Sequence, residues 1–209
     1  FVIPVETAFA LTGSATDADL DNLTYAWEQH DLGPAGNANN PTGNAPLFRS
    51  FSPVSSGARL FPQLSDLTNN TQTLGEILPD YERFMSFRLT ARDGNGGVAY
   101  DEMSIEVVDN GGAFEVTAPH TAVSHPVNTP LAVTWDVAGT NQAPISCANV
   151  DIFLSDDNGA TFDLLLGNTP NDGSQSVTPT MVTDEARIKV ACSDNIFFDW
   201  SDVPFETVC

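Results

Sequence analysis

Apolar residues in this chain recur at every second position rather than every third or fourth. The rhythm is carried by Phe9 and Leu11; by Leu23, Tyr25 and Trp27; by Met85, Phe87, Leu89 and Ala91; and by Met103, Ile105 and Val107. A second set follows in Leu131, Val133, Trp135 and Val137; Val150, Ile152 and Leu154; and Ala186, Ile188, Val190 and Cys192. Period-two alternation sends successive side chains to opposite faces of an extended strand, one buried and one wet. Turn chemistry in "RDGNGG", "DDNG" and "PNDGS" separates the runs,. Short half-buried strands joined by such turns predict an all-β chain of antiparallel β-sandwiches.

The chain has 209 residues, room for one large β domain or two ordinary ones,. The break falls in "VVDNGGAFEV", where Asp109, Asn110, Gly111 and Gly112 close one unit and a strand opens at Phe114. Residues 1–112 and 113–209 are therefore read as two tandem sandwiches. Between about residues 30 and 82 the alternation lapses into loop material such as "GPAGNANNPTGNAP". That stretch is too long for a simple connection and is expected to be a partly structured excursion from the first sandwich. Phe48, Phe51, Leu60 and Phe61 within it need burial. Arg49, Arg59, Arg83, Arg88 and Arg92 are expected to pin it through Glu76, Asp80 and Glu82, with anionic-ligand binding as their second reading.

Net charge is -21, with 28 acidic residues against seven Lys and Arg, and the only lysine is Lys189. Such a surface repels nucleic acid and anionic membranes, so both are set aside as partners. It suits divalent cations, or it serves as a solubilising coat. No apolar run approaches the roughly 18 residues of a membrane span, so no membrane insertion is expected. The chain opens on Phe1 rather than Met, as a processed piece of something longer would. Scarce lysine and three cysteines fit a secreted or cell-surface protein,. Cys147 lies just before "ANVDIFL" and Cys192 ends "ARIKVAC", so a bridge tying neighbouring or facing strands of the second sandwich is expected, against two buried thiols. Cys209 has no partner in the chain.

"SATDADLDNLTYAWEQ" nearly fits an EF-hand, with Asp17, Asp19 and Asp21 at its first, third and fifth positions and Glu28 at its twelfth,. An EF-hand loop must run into a helix, whereas Leu23, Tyr25 and Trp27 alternate as a strand. The EF-hand reading fails. A different calcium site stays open, since carboxylates at i, i+2 and i+4 of a turning segment can face one hard cation. Glu6, Asp93 and Asp101 are candidates for further oxygens. The competing reading is an Asx-turn whose side chains cap backbone amides. In "SDDNGATF", Ser155, Asp157, Gly159, Thr161 and Phe162 are spaced like an Asp-box, whose expected task is structural: Asp157 holds the hairpin turn while Phe162 tucks into the core. Trp27 and Trp135 sit in alternating strands and read as core; Trp200 has no clear inward assignment.

Several motifs together resemble a known region. They are "FVIPVETAFALTGSATDADLDNLTYAWEQHDLGP", "PLFRSFSPVSSGARLFPQL", "LGEILPDYERFMSFRLTARDGNGG", "VTWDVAGTNQAPISCANVDIFLSDDNGATF" and "ARIKVACSDNIFFDWSD". In this order they resemble the accessory immunoglobulin-like region of secreted bacterial reprolysin-like zinc metallopeptidases, and "A-x-D-x-D-x-D-x-L-T-Y" resembles cadherin-like and PKD-like domains. The resemblance implies immunoglobulin-like sandwiches, a calcium-stabilised spacer or targeting role, and an upstream catalytic domain in the same polypeptide as partner. An extracellular protein or polysaccharide is the other implied partner. The chain carries no catalytic set of its own: a zincin needs H-E-x-x-H, and the only histidines are His30, His120 and His125,. The competing class is an adhesive or structural surface protein of tandem sandwiches, whose strands could also assemble between subunits into filaments.

Overall fold

A computed structural model describes every residue from Phe1 to Cys209. The first sandwich begins with β1 (Val2–Pro4), β2 (Ala8–Thr12) and β3 (Thr24–Gln29) and ends with the long hairpin β5 (Arg83–Arg92) and β6 (Val98–Val108). One layer runs β1-β6-β5-β3, with β1 parallel to β6 and the other pairings antiparallel. The β5–β6 turn is set by Asp93, whose carboxylate accepts the N–H groups of Asn95 and Gly97 while Gly94 and Gly96 take positive φ. The opposite layer pairs β2 with β4 (Ala58–Phe61), Phe9 opposite Phe61. β4 thus lies inside the excursion and is an integral strand of the sandwich.

The second sandwich sets β7 (Glu115–Ala118), β9 (Leu131–Asp136) and β12 (Ser174–Val177) against a larger layer. That layer holds β8 (Ser124–Pro126), β10 (Asn149–Ser155), β11 (Asp163–Pro170), β13 (Thr183–Cys192), β14 (Phe197–Trp200) and β15 (Phe205–Val208). As in the first unit, an early strand runs parallel to the last one, β8 beside β15. Two layers of this strand content are those of an immunoglobulin-like sandwich.

The two units are not beads on a string. The larger layer continues into the first sandwich in the order β11-β10-β13-β14-β2-β4, with Phe197 opposite Phe9 and Phe198 opposite Ala8. Ala10 N–H extends the seam by donating to the Ile196 carbonyl at 3.0 Å. One contiguous apolar core follows, from Ile3 and Phe9 through Phe114 and Phe197 to Val133 and Phe205. Phe9 stacks on Phe61 at 4.8 Å between centroids and meets Phe48 and Phe87 edge-on, while Phe114 meets Phe197 at 5.3 Å. Thr7 ties the link between units, its hydroxyl accepting the Phe114 N–H.

The excursion also carries α1 (Leu64–Asn69), a short helix that leaves the first unit and lies on the second. The Leu67 carbonyl accepts Trp200 Nε1 (3.3 Å), the Thr68 carbonyl accepts Arg187 Nη2 (3.0 Å), and Asn70 Nδ2 donates to the Asp202 carbonyl (3.1 Å). Trp200 thus finds its place on the outer face of the shared layer, 4% exposed under α1. Asp66 anchors the segment after the helix. Burial alone would raise its carboxyl, but hydrogen bonds from Thr73, Thr71 and Gln63 hold it below the usual range. No helix is long and apolar enough to cross a membrane.

Candidate functional site

At one end of the first sandwich the acidic turn meets the β5–β6 turn. Asp17 Oδ1 accepts the N–H groups of Asp19 (2.9 Å) and Asp21 (3.1 Å), which is the Asx-turn geometry,. Leu20, between them, is held at φ 63° and is 89% exposed. Asp21 Oδ2 accepts Asn95 Nδ2 at 2.8 Å, joining the two loops. Of the proposed oxygen donors, Asp93 is therefore nearby, through Asn95. Glu6 is not: its N–H bonds the Pro79 carbonyl in the turn between β1 and β2, and those strands carry it to the other end of the sandwich. Asp101 stands within β6 opposite Leu89, its carboxylate accepting the Glu102 N–H. No three acidic ligand atoms here come within 4.8 Å of one another; the one such group is Cys147, Cys192 and Asp194, and its sulfurs are bonded to each other. As placed, these donors form a braced turn rather than a closed cation cage.

The Asp-box residues converge at the turn after β10. Asp157 accepts Ser155 Oγ (2.7 Å), the Thr161 N–H (2.8 Å) and Thr161 Oγ1 (2.7 Å), and these bonds, led by those from Thr161, hold its carboxyl below the ordinary range. Gly159, at φ 90°, donates its N–H to Ser155 Oγ. Phe162 stacks on Trp200 at 5.1 Å, on the outer face of the shared layer rather than between the layers. Lys189 lies in the same patch, 4.4 Å from the Phe162 centroid and 4.5 Å from that of Phe153, and burial lowers its pKa. Arg187, also buried, donates to Asn158 Oδ1 beside the turn.

Cys147 and Cys192 form a disulfide with Cα atoms 6.0 Å apart. It joins neighbouring strands of one layer, since Cys192 pairs with Val150 and Cys147 leads into β10. Cys209 is free and exposed.

The arginines divide differently from their sequence expectation. Arg59 pairs with Glu76 at 2.8 Å, Arg83 with Asp31 at 3.6 Å, and Arg88 with Glu102; Asp80 and Glu82 take no arginine. Arg59 enters the open side of the first sandwich, donating to the carbonyls of Trp27 (2.6 Å) and Arg49 (2.8 Å). Glu76 is buried and accepts the Gln63 N–H with its second oxygen. Burial pushes its carboxyl up against the pull of Arg59, and pushes the Arg59 guanidinium down against the pull of Glu76. Beside them opens a cleft of about 550 Å³ lined by Tyr25, Trp27, Phe51, Val54, Leu60 and Leu64, with Arg59 and Gln63 at its wall. The guanidinium carbons of Arg49 and Arg59 lie 4.9 and 4.6 Å from the Phe51 centroid. Nothing in the alternation pattern marks this cleft, because its walls come from the excursion.

A half-buried acid sits where the units join. Asp199 on β14 accepts the Val116 N–H of β7 at 2.6 Å. Burial, with the negative charges of Asp202 and Glu115 adding, pushes its carboxyl up to about 7 against the pull of the Val116 and Trp200 amides.

No known protein family matches the chain, and no curated protein sequence matches it. Among solved structures it is similar to the N-terminal Ig1-2 module of the Drosophila receptor protein tyrosine phosphatase DLAR, at 9% identity over 100% of this chain and 94% of that one, with a TM-score of 0.47. The tandem Ig repeats of Dlar are similar at 10% identity over 99% and 92%, with a TM-score of 0.48. The fibronectin(III)-like modules of Clostridium thermocellum CbhA are similar at 9% identity over 99% and 89%, with a TM-score of 0.32. By its own strand order the chain is a pair of immunoglobulin-like β-sandwiches joined through one sheet.

Proposed function

We propose that the chain is a rigid, non-catalytic spacer of an extracellular protein, holding whatever flanks it at a fixed distance and orientation. The β2–β14 pairing carries this reading, because a hydrogen-bonded sheet and a common core across the junction remove the hinge that tandem domains ordinarily keep,. The finer proposal makes it the accessory region of a secreted zinc metallopeptidase, supported by the motif resemblance of the sequence. Calcium belongs to that finer proposal. The meeting of Asp21 and Asp93 at Asn95 supports it, and the commitment of Asp17 to two amides weighs against it. The test is calorimetry of wild type and Ala10→Pro, which deletes the amide donor to Ile196. A rigid unit melts in one transition that the variant splits or broadens. Two well-separated transitions in wild type would remove the rigid-spacer reading.

An adhesive or filament-forming role draws on a different observation. The eight-stranded sheet ends in open edges at β11 and β4, and Leu164 on β11 is 60% exposed. Such edges accept further strands. Concentration-dependent assembly in light scattering would support this role, and a monomer at millimolar concentration would exclude it.

A further inference from the structure

We propose that the cleft beside Phe51 is a docking site for the C-terminal end of an extended peptide whose last residue is apolar. Three independent features of the cleft select that chemistry. Its volume of about 550 Å³ and its lining of Tyr25, Trp27, Phe51, Val54 and Leu60 suit apolar side chains,. Two of its walls are strand edges. His30 N–H bonds the Ser86 carbonyl, so by register Trp27 turns its N–H away from β5; likewise Gly13 N–H bonds the Gly57 carbonyl, so Leu60 turns its N–H and carbonyl away from β2. On the β3 edge Tyr25 is capped by Val54, after which the excursion peels away, and Arg59 takes the Trp27 carbonyl, which leaves the Trp27 N–H. Outward amides of this kind are satisfied by another backbone, which a peptide brings and a lipid does not.

The third feature is charge. In a chain of net charge -21, Arg49 is exposed, stacks on Phe51 and enters none of the four ion pairs. Arg59, against the same ring, is already matched by Glu76. One unmatched guanidinium at the mouth of an apolar cleft fits one carboxylate. An internal segment of the apolar residues that the cleft selects would leave it unmet, whereas a chain terminus supplies the charge next to the apolar side chain.

The test uses the whole chain and three probes: acetyl-Val-Leu-Phe with a free carboxylate, the same peptide as its C-terminal amide, and octanoate. The free acid is expected to shift the Trp27 and Leu60 amide resonances and to bind about fivefold more tightly than the amide, the upper range for an exposed ion pair. Arg49→Gln, an exposed change checked by an unaltered melt, is expected to bring the acid down to the level of the amide and leave the amide unchanged. Equal binding of acid and amide would overturn the proposal. So would octanoate binding as tightly as the peptide acid, which would assign the cleft to lipid, or the absence of any shift at millimolar peptide.

Discussion

The two sandwiches follow one strand plan and close it in opposite ways. Each runs an early strand parallel to its last, and each sets two layers face to face. The second completes its larger layer from its own strands and adds the Cys147–Cys192 bridge within it. The first has only β2 and β4 on that side, so β2 would be an open edge without β14. It offsets the shortage with the excursion, whose Phe48 and Phe61 complete a four-phenyl core and whose Arg59–Glu76 pair plugs the open side. A buried ion pair is a poor substitute for apolar closure, because desolvation consumes most of its attraction. The second unit is thus built to stand alone, and the first is built to lean on it.

Separating the units breaks the comparison most directly. Residues 113–209 alone are expected to keep a cooperative melt and dispersed amide spectra. Residues 1–112 alone are expected to lose both, since Phe9 and Ala8 would face water where Phe197 and Phe198 now pair. Equal cooperativity in the two halves would mean that the shared sheet adjoins two self-sufficient domains.

The next effect concerns the bridge. Replacing Cys147 and Cys192 by serine opens a loop spanning a sequence separation of 45 and is expected to cost roughly 4 kcal/mol in denaturant melts,. Because the layer holding the bridge continues into β2, both units should weaken together. Hydrogen exchange should show loosening at β2 as well as at β10; loosening confined to the second unit would show that the seam transmits little.

Asp199 offers a titration of the junction. Its folded carboxyl, at about 7, lies above its ordinary 3.8, so the folded chain holds this proton more tightly than the unfolded one. The stabilisation is full below about pH 4 and is lost as pH rises to 7, an effect of roughly 2 kcal/mol after allowance for partial exposure. Asp199→Asn keeps an oxygen for the Val116 amide and should erase that decline, melting above wild type at pH 8. An unchanged slope in the variant would place the pH dependence elsewhere.

Much of this was legible in the sequence. The inward residues of β5, β9, β10 and β13 are the ones the alternation marks, because strands buried on one face write that face at period two,. The seam left a fainter trace. "AFAL" is apolar on both faces, and "FFDW" puts Phe197 on one face and Phe198 and Trp200 on the other, as strands covered on both sides do, but runs so short read equally as ordinary core,. Trp200 was ambiguous for this reason. The cleft and the placement of Arg59 were not legible, because the excursion is positioned by side chain–backbone bonds such as Arg59 to Trp27 and Gln29 to Leu47, which leave no periodicity. The aspartates were visible as a motif but undecided in role, since a cation site and an Asx-turn draw on the same spacing.

That last ambiguity yields the smallest effect and a clean separation. Asp17 serves the turn through its side chain, while Asp19 contributes only its N–H, its carboxylate having no partner in the protein. Asp17→Ala should therefore lower stability whether or not calcium is present, by about 1 kcal/mol for its paired hydrogen bonds. Asp19→Ala should leave the turn intact and remove only what a cation adds. With calcium at about five times its Kd, binding to the folded chain alone contributes about 1 kcal/mol, or roughly 2–4 °C for a chain of this size. Wild type is expected to show that rise over chelator at constant ionic strength, and Asp19→Ala to show none. Identical melting of wild type in calcium and chelator would leave Asp17, Asp19 and Asp21 as a brace between two loops, and the first sandwich dependent for its rigidity on its neighbour alone.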